Sequence, residues 1–266
     1  ASMPRADFLF PPGFLWGCAT AAHQVEGRNT NNDWYAWEQL PGKIKDGSNS
    51  LLADEWWNGR WKEDFDRVAE AGQNAHRLSI EWSRIQPAPD RWDEDALDQY
   101  RQIIRGLVQR GLTPLVTLHH FTNPLWMAEK GGWEHDEAPQ WFAAYVRRVV
   151  EALKEYVTLW CTINEPNIYV AFGYMDGAWP PGKNDNAAAF KVMANLLRGH
   201  ALAYKIIHEI QPAARVGVAH HYRPFKPARP GFPPDRWMTN LMEHHFNRSF
   251  ADAIQTGKLT FALQST

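Results

Sequence analysis

The distribution of apolar and polar residues along the chain predicts a regular alternation of strands and helices. Short apolar, partly β-branched runs predict buried strands, at residues 14–20, 75–82, 113–120, 157–163 and 215–220. Amphipathic segments between them predict helices, at residues 57–71, 94–110, 138–155 and 187–210. This alternation is typical of a parallel sheet with crossover helices. Because no linker, low-complexity tract or repeated sequence interrupts the pattern, we expect residues 1–266 to belong to one domain.

The number of predicted strands indicates part of a barrel. The chain of 266 residues holds five βα units, whereas eight units of about 50 residues would need about 400 residues. Residues 173–186 predict a long loop after the fourth strand, and residues 257–266 predict a loop and not further strands. We therefore expect an α/β fold, the (β/α)8 TIM barrel, of which this chain supplies the first five βα units.

The composition excludes two classes of partner and favours one compartment. A net charge of −2 gives no basic surface for nucleic acid and no attraction to an anionic membrane, and no apolar run approaches the roughly 20 residues of a membrane helix. Cys18 and Cys161 lie in predicted buried strands, which predicts free buried thiols and a cytoplasmic protein. Residues 1–2 resemble an expression scar, and residues 3–7 lack the apolar core of a signal peptide.

The candidate chemistry lies at the end of the fourth predicted strand. The apolar run 157–163 stops at Asn164, Glu165 and Pro166, where the proline ends further ladder pairing. Parallel α/β folds place catalytic groups at the carboxyl ends of their strands. A following proline favours extended backbone at Glu165, which would fix the direction of its side chain. Taken alone, the same string is equally typical of a turn with an exposed glutamate.

Several segments in order along the chain carry motifs of a known family. They are residues 14–17 (FLWG), 24–27 (QVEG), 77–84 (RLSIEWSR), 118–120 (LHH), 162–167 (TINEPN) and 173–182. Together they resemble the signatures of family 1 glycoside hydrolases, the β-glucosidase and β-galactosidase group. The resemblance covers nearly the whole chain, and the order of the motifs makes it far more specific than any one of them.

The resemblance implies a role for each of five residues in a retaining β-glycosidase that hydrolyses terminal β-linked sugars by double displacement. Glu165 would be the general acid that protonates the leaving oxygen and then the base that activates water, and Asn164 would hold the sugar 2-hydroxyl. Gln24 and His120 would bind other hydroxyls of the glycone. Arg77 would lie beside the nucleophilic carboxylate and keep it ionised. The implied partner is a small β-glycoside or oligosaccharide, and no cofactor or metal is implied.

Three of these residues also have an ordinary structural explanation. Without the resemblance, Gln24 and His120 are typical polar groups at the rim of a barrel, and Arg77 is typical of an ion pair with Glu81 or a helix carboxylate. The sequence also departs from the family pattern. Phe121 follows His120 where the family often has tryptophan, and residues 220–221 are both histidine where the family tends to place asparagine.

The largest departure is the absence of the family's nucleophile. That residue is a glutamate in a Thr/Ser-Glu-Asn-Gly string on the seventh strand, and residues 1–266 contain no such string, nor the sugar-reading loop after the eighth strand. A retaining mechanism needs both carboxylates, so we expect this chain to be inactive alone. It would be one piece of a truncated or split enzyme, completed by a C-terminal segment of the same barrel, or else a sugar-binding pseudoenzyme.

A metal-dependent hydrolase is a more distant alternative. Histidine pairs occur at residues 119–120, 220–221 and 244–245, and imidazoles clustered at one face of a barrel can bind zinc. However, the first strand has no His-x-His motif, and His208-Glu209 is not followed by a histidine at the spacing of the zinc helix.

Overall fold

The computed structural model describes residues 9–260, which contain five parallel strands. The strands are β1 (Gly17–Ala19), β2 (Ala75–Ser79), β3 (Thr113–His119), β4 (Leu159–Asn164) and β5 (Arg215–Ala219). Each of the five predicted strands is present, with ends that differ by up to three residues. The expected loop at the end of the chain is present over residues 257–260. Its remainder, residues 261–266, and the N-terminal segment at residues 1–8 lie outside the described residues.

The strands are ordered β1-β2-β3-β4-β5, and every neighbouring pair is parallel. Doubly wound sheets reverse their strand order at a switch point, whereas here each new strand is added on the same side as the last. This sequential winding is that of a (β/α)8 barrel. It also brings the carboxyl ends of all five strands to one edge of the sheet.

Helices connect consecutive strands and cover the outer face of the sheet. They are α1 (Ala22–Val25), α2 (Asp33–Glu38), α3 (Trp61–Glu70), α4 (Trp82–Ile85), α5 (Glu94–Gln109), α6 (Leu125–Glu129), α7 (Ala138–Leu153), α8 (Pro166–Val170), α9 (Asn186–Ile210), α10 (Pro233–Met242) and α11 (Ser249–Thr256). Short 3-10 turns lie at Trp56–Asn58 and Gly132–Glu134, and π-helical turns at Ala171–Asp176 and Glu243–Arg248. The predicted loop at residues 173–186 therefore begins inside a π-helical turn. The four long predicted helices are confirmed as α3, α5, α7 and α9.

Local sequence explains where two of the long crossover helices, α5 and α9, begin. Asp93 precedes α5, and its side chain accepts a hydrogen bond from the backbone N–H of Ala96 at 2.9 Å. Asp185 caps α9 in the same way, accepting from the N–H groups of Ala187 and Ala188 at 2.8 and 3.1 Å. Each cap satisfies donors that the first turn leaves free.

The main core lies between the sheet and its helices. Leu78 of β2 and Val116 of β3 are fully buried in it. The hydroxyl of Tyr145, on α7, donates to the carbonyls of Ile80 and Leu118 at 3.1 and 3.0 Å. Because these carbonyls lie at the carboxyl ends of β2 and β3, α7 holds the edge of the sheet at which the candidate chemistry lies.

The prediction for the cysteines is half right. Both thiols are free, and Cys161 on β4 is buried, but Cys18 on β1 is exposed. The reason is that β1 is three residues long and is hydrogen-bonded only to β2 within the described residues, so its whole length is exposed. None of the helices within residues 9–260 has the length and apolar character that a membrane crossing requires.

Candidate active site

Four of the five predicted site residues lie in or just after a strand, and the fifth follows β1 in a short helix. Arg77 is the central residue of β2, His120 follows β3, and Asn164 ends β4 directly before Glu165. Gln24 lies in α1, close after the end of β1. Since the strands are parallel, their carboxyl ends meet at one edge of the sheet. Gln24, His120 and the Asn164–Glu165 pair lie at this edge, and Arg77 lies in the middle of β2.

Arg77 and Asn164 are in direct contact. Nη2 of Arg77 donates to Oδ1 of Asn164 at 2.6 Å, and Nε donates to Oγ1 of Thr117 at 2.8 Å. Asn164 is buried and Arg77 is half-buried. The same guanidinium lies 3.9 Å from the sulfur of Cys161, whose thiol pKa is raised by burial. The side chains of β2, β3 and β4 thus meet on the inner face of the sheet.

No carboxylate pairs with Arg77 anywhere in residues 9–260. The alternative prediction of an ion pair with Glu81 is wrong, because Glu81 is buried elsewhere and accepts hydrogen bonds from the hydroxyls of Ser83 and Thr122 at 2.8 and 2.9 Å. A half-buried guanidinium with neutral partners is unusual, since buried cations are normally paired. The inner face therefore carries an unbalanced positive charge next to Asn164.

The backbone of Glu165 differs from the prediction. The following proline was expected to favour extended geometry, but Glu165 has φ 43° and ψ 60°, in the left-handed region. Two features hold it there. Pro166 occupies the first turn of α8, where its fixed φ is well suited, and the N–H of Glu165 donates to the carbonyl of Ala219, at the end of β5, at 2.6 Å. Such a conformation costs about 1–3 kcal/mol for a non-glycine residue, and residues held in this way cluster at functional sites.

A histidine to which the sequence assigned no role contacts Glu165. Nδ1 of His221 lies 3.1 Å from Oε1 of Glu165, and both side chains are 32% exposed. His221 follows β5, the strand that pairs with β4. The sequence did contain a signal for this contact. The neighbouring strands β4 and β5 are each followed, within two residues, by a titratable side chain.

His120 is held neutral at the same edge of the sheet. Burial, followed by the charge of Arg77 and the proximity of His119, lowers its pKa to about 3. Its Nδ1 atom is buried, with no hydrogen-bond partner within residues 9–260. The next residue, Phe121, has φ 72°, a second left-handed non-glycine residue at a strand end. Because Nδ1 is buried, a ligand hydroxyl would meet the other ring nitrogen, Nε2. In a neutral imidazole each ring nitrogen either donates or accepts one hydrogen bond.

A buried network beneath His120 joins the loops that follow β1 and β3. Asn123 donates from its backbone and side-chain nitrogens to the carboxylate of Asp33 at 2.9 and 2.7 Å. Oδ1 of Asn123 accepts from Nε1 of Trp133 at 3.0 Å and lies 3.1 Å from Nε2 of His119. Burial raises the pKa of Asp33 to about 7 and lowers that of His119 to about 4. These contacts fix the backbone that carries His120.

We expect the buried His119 to make the protein sensitive to acid. The unfolded chain binds a proton at this residue near pH 6.5, whereas the folded protein does so only near pH 4. Stability therefore falls as the pH falls from 6.5 to 4. In His119→Gln, the pH dependence of the free energy of unfolding should be shallower over this range, by about 1.4 kcal/mol per pH unit. Urea denaturation of the complete protein at several pH values measures this slope.

Trp133→Phe is the matched control for that measurement. It disturbs the same network without removing a titratable group, so its curve should run parallel to that of the wild type. If the His119→Gln curve is also parallel to the wild type, His119 does not titrate as described.

Gln24 is the predicted site residue with the fewest contacts. Its side chain is exposed and has no hydrogen bond to the other four, or to any other described residue. The motif residues beside it have a structural role. Glu26 is buried, accepts from Nε of Arg84 at 2.7 Å and from the hydroxyl of Tyr100 at 2.6 Å, and has its pKa raised by burial. This ion pair anchors α1, which carries Gln24, to the second βα unit.

A group of aromatic residues, of which the sequence analysis singled out only Phe121, lies at the same edge. The ring of Trp179 is within 5.3 Å, centroid to centroid, of the rings of Trp34, Phe121 and Phe172. These residues come from the segments after β1, β3 and β4, and none of the four is fully buried. Aromatic faces that remain accessible can stack on a flat, weakly polar ligand surface.

The three histidine pairs do not form a metal site within residues 9–260. His220 Nε2 lies 2.9 Å from the carbonyl of Asn247, and His244 Nε2 lies 2.8 Å from that of Thr260. In the described part of the chain, no three or more His, Cys, Asp or Glu side chains are grouped so that they could hold a metal ion.

The chain is similar in sequence and in fold to known glycosidases. The sequence profile described as Glycosyl hydrolase family 1 matches residues 7–266. Beta-glucosidase A of Thermotoga maritima is 38% identical over 225 residues, which cover 82% of this chain and 50% of that protein. A beta-glycosidase from Pyrococcus horikoshii has a TM-score of 0.88 at 40% identity, over 96% of this chain and 58% of that one. The structure of beta-glucosidase from Thermotoga maritima in complex with glucoimidazole has a TM-score of 0.91 at 35% identity, over 94% of this chain and 58% of that one.

The chain thus spans about half the length of the curated relative and 58% of each solved chain. Nearly all of it superposes on these barrel enzymes. The predicted fold is confirmed: the chain is α/β and supplies the first five βα units of a (β/α)8 barrel.

Proposed function

Because the chain belongs to glycosyl hydrolase family 1, we propose that it is the acid/base-bearing part of a retaining β-glycosidase of the β-glucosidase type. Glu165 is the general acid and base, Asn164 holds the sugar 2-hydroxyl, and Gln24 and His120 bind other hydroxyls of the glycone. Residues 1–266 form the N-terminal part of one barrel domain in this proposal. The observation that carries it is Glu165, held in a left-handed conformation at the carboxyl end of β4.

The neighbourhood of Glu165 suits a reaction that takes place between two carboxylates. In a retaining mechanism the acid/base and the nucleophile lie about 5–5.5 Å apart. Arg77 lacks a carboxylate partner in residues 9–260, and the residue it contacts, Asn164, directly precedes Glu165. We assign Arg77 as the cation beside the nucleophile. The nucleophile itself then comes from a C-terminal segment outside residues 1–266.

The substrate class follows from the groups that the edge of the sheet presents. The imidazole of His120 is neutral, and within the described residues the Nδ2 group of Asn164 has no hydrogen-bond partner. Such neutral donors and acceptors suit sugar hydroxyls, since they orient a ligand without requiring it to carry charge. The rings around Trp179 suit the flat face of an aryl or sugar aglycone. Beta-glucosidase from Thermotoga maritima binds glucoimidazole, which agrees with a small glycoside as the ligand here.

The free cysteines support the proposed cytoplasmic location. Within the described residues, Cys18 and Cys161 are both unpaired, and one of them is exposed. An exposed thiol persists in a reducing compartment.

The test is hydrolysis of 4-nitrophenyl β-glucoside by the complete protein, followed by proton NMR of the first sugar released. We expect turnover of β-glycosides, and we expect the β-anomer of the sugar to appear before mutarotation, because double displacement retains configuration. The matched α-glucoside is the control and should not be hydrolysed. Initial release of the α-anomer would contradict the retaining mechanism, and failure to hydrolyse β-glucosides, β-galactosides and β-fucosides alike would contradict the function.

A further inference from the structure

The contact between His221 and Glu165 is placed so that it affects only one carboxyl oxygen. Nδ1 of His221 lies 3.1 Å from Oε1 of Glu165. Within residues 9–260 this is the only hydrogen bond of the Glu165 side chain, so Oε2 has no partner. Both side chains are partly accessible to solvent, as a group that reacts with a substrate must be.

The backbone on both sides of this contact is fixed by further hydrogen bonds. The N–H of Glu165 donates to the carbonyl of Ala219, two residues before His221. The buried side-chain nitrogen of Asn167 donates to the carbonyls of His221 and Phe246 at 2.8 and 2.9 Å. The ring of Phe246 meets the imidazole of His221 edge to face at 5.7 Å. The backbone of His221 is therefore fixed next to that of Glu165, and Phe246 packs against the imidazole.

We infer that His221 is a positioning residue that occupies Oε1 of Glu165, so that Oε2 alone transfers the proton. This inference rests on the function proposed above. The imidazole donates its Nδ1–H to Oε1 in both steps of the reaction and is not itself deprotonated. In the first step the proton on Oε2 passes to the glycosidic oxygen as the bond between that oxygen and the anomeric carbon breaks, and the nucleophilic carboxylate of the proposed C-terminal segment forms a bond to the same carbon. In the second step Oε2 takes a proton from the water that attacks the anomeric carbon, and the bond between this carbon and the nucleophilic carboxylate breaks, which restores both carboxyl groups to their starting state.

The neighbouring histidine provides a matched comparison. His220 directs Nε2 to the carbonyl of Asn247 at 2.9 Å, and its ring is stacked against Phe250. The two adjacent imidazoles after β5 thus have different partners. Only the imidazole of His221 is hydrogen-bonded to the carboxyl group of Glu165. A change at residue 220 tests disturbance of this segment, whereas a change at residue 221 tests the contact itself.

The experiment measures kcat/KM of the complete protein for β-glucosides whose leaving groups range from methanol to 2,4-dinitrophenol. The kcat/KM value reports the first step, in which poor leaving groups need the proton and good ones do not. We expect His221→Ala to lose roughly 10- to 100-fold on methyl β-glucoside, because a misplaced catalytic group costs up to about 100-fold, and less than about 3-fold on the dinitrophenyl substrate. His221→Asn can place an amide N–H near the position of Nδ1 and should recover most of this loss. His220→Ala should change all substrates by one common factor.

The outcomes separate this inference from the proposed function. If Glu165→Gln shows a strong leaving-group dependence while His221→Ala affects all substrates equally or none, the inference is overturned and the function stands. If Glu165→Gln shows no such dependence, the proposed function falls, and the inference with it.

A measurement on the unmodified protein covers the case in which His221→Ala does not fold. Nitrogen-15 NMR of the imidazoles reports which ring nitrogen carries the proton. The inference requires the proton of neutral His221 to be on Nδ1, with a change in that signal in Glu165→Ala. A proton on Nε2 in the wild-type protein would overturn it.

Discussion

Glu165→Gln in the complete protein should slow the hydrolysis of alkyl and disaccharide β-glucosides by about 10²–10⁴-fold, the usual contribution of general acid catalysis. The amide keeps the shape of the side chain and can still accept from His221, but it has no proton of suitable acidity to give. A dinitrophenyl leaving group departs without protonation, so kcat/KM for that substrate should change far less. A plot of log kcat/KM against the pKa of the leaving group should therefore be steeper in the variant than in the wild type.

The control for this prediction is Glu155→Gln, which makes the same chemical change at an exposed position between α7 and β4. It should leave the plot unchanged. An equal loss for leaving groups of widely different pKa in Glu165→Gln would contradict the assignment of Glu165 as the acid.

The fold could be predicted because its signals are local. Each long element can be predicted from the apolar pattern of its own residues. Examples are the apolar run before Asn164 and the periodic apolar positions of α5, α7 and α9. The short helices at the carboxyl ends of the strands were not predicted, since four to six residues carry too little periodicity. The N-terminal strand was predicted at 14–20 but spans only Gly17–Ala19, because pairing along β2, and not apolar character, decides its length.

The details of the site depend on contacts between distant residues, and this is where the sequence prediction fails. The rule for residues that precede a proline favours extended backbone at Glu165. It is overridden by the hydrogen bond that the N–H of Glu165 donates to the carbonyl of Ala219, 54 residues away along the chain. The role of His221 depends on the same proximity of β4 and β5. The exposure of Cys18 similarly depends on which strand pairs with β1, and the residue's own neighbours give no signal of that.

The charge on the inner face of the sheet has a consequence for the isolated chain. Arg77 is half-buried, and it has no carboxylate partner in residues 9–260, although the acid/base candidate lies close by. Without a second carboxylate no glycosyl-enzyme can form.

The two outer strands of the isolated chain have unpaired edges. Within the described residues, β1 and β5 each pair on one side only. Unpaired strand edges promote association between chains, and parallel sheets normally have both faces covered.

We therefore expect residues 1–266, produced alone, to hydrolyse no aryl β-glucoside and to aggregate. The apolar surface near β1 strengthens this expectation, since Phe10, Phe14 and Trp16 are each at least 40% exposed, and covering such surface is worth about 25 cal/mol per Å².

A separately produced C-terminal segment of the full-length protein should bind this surface, supply the carboxylate beside Arg77 and restore activity. The measurement is release of 4-nitrophenol from the β-glucoside by material whose intact mass is 30.6 kDa, with and without that segment. The matched control compares the wild-type mixture with the same mixture carrying Glu165→Gln, both assayed on methyl β-glucoside. The wild-type mixture should hydrolyse it, and the variant mixture should stay inactive because the acid is missing from an otherwise complete site. Turnover by the 30.6 kDa chain alone that is abolished in Glu165→Gln would show that residues 1–266 contain both carboxylates, and the assignment of Arg77 would then be wrong.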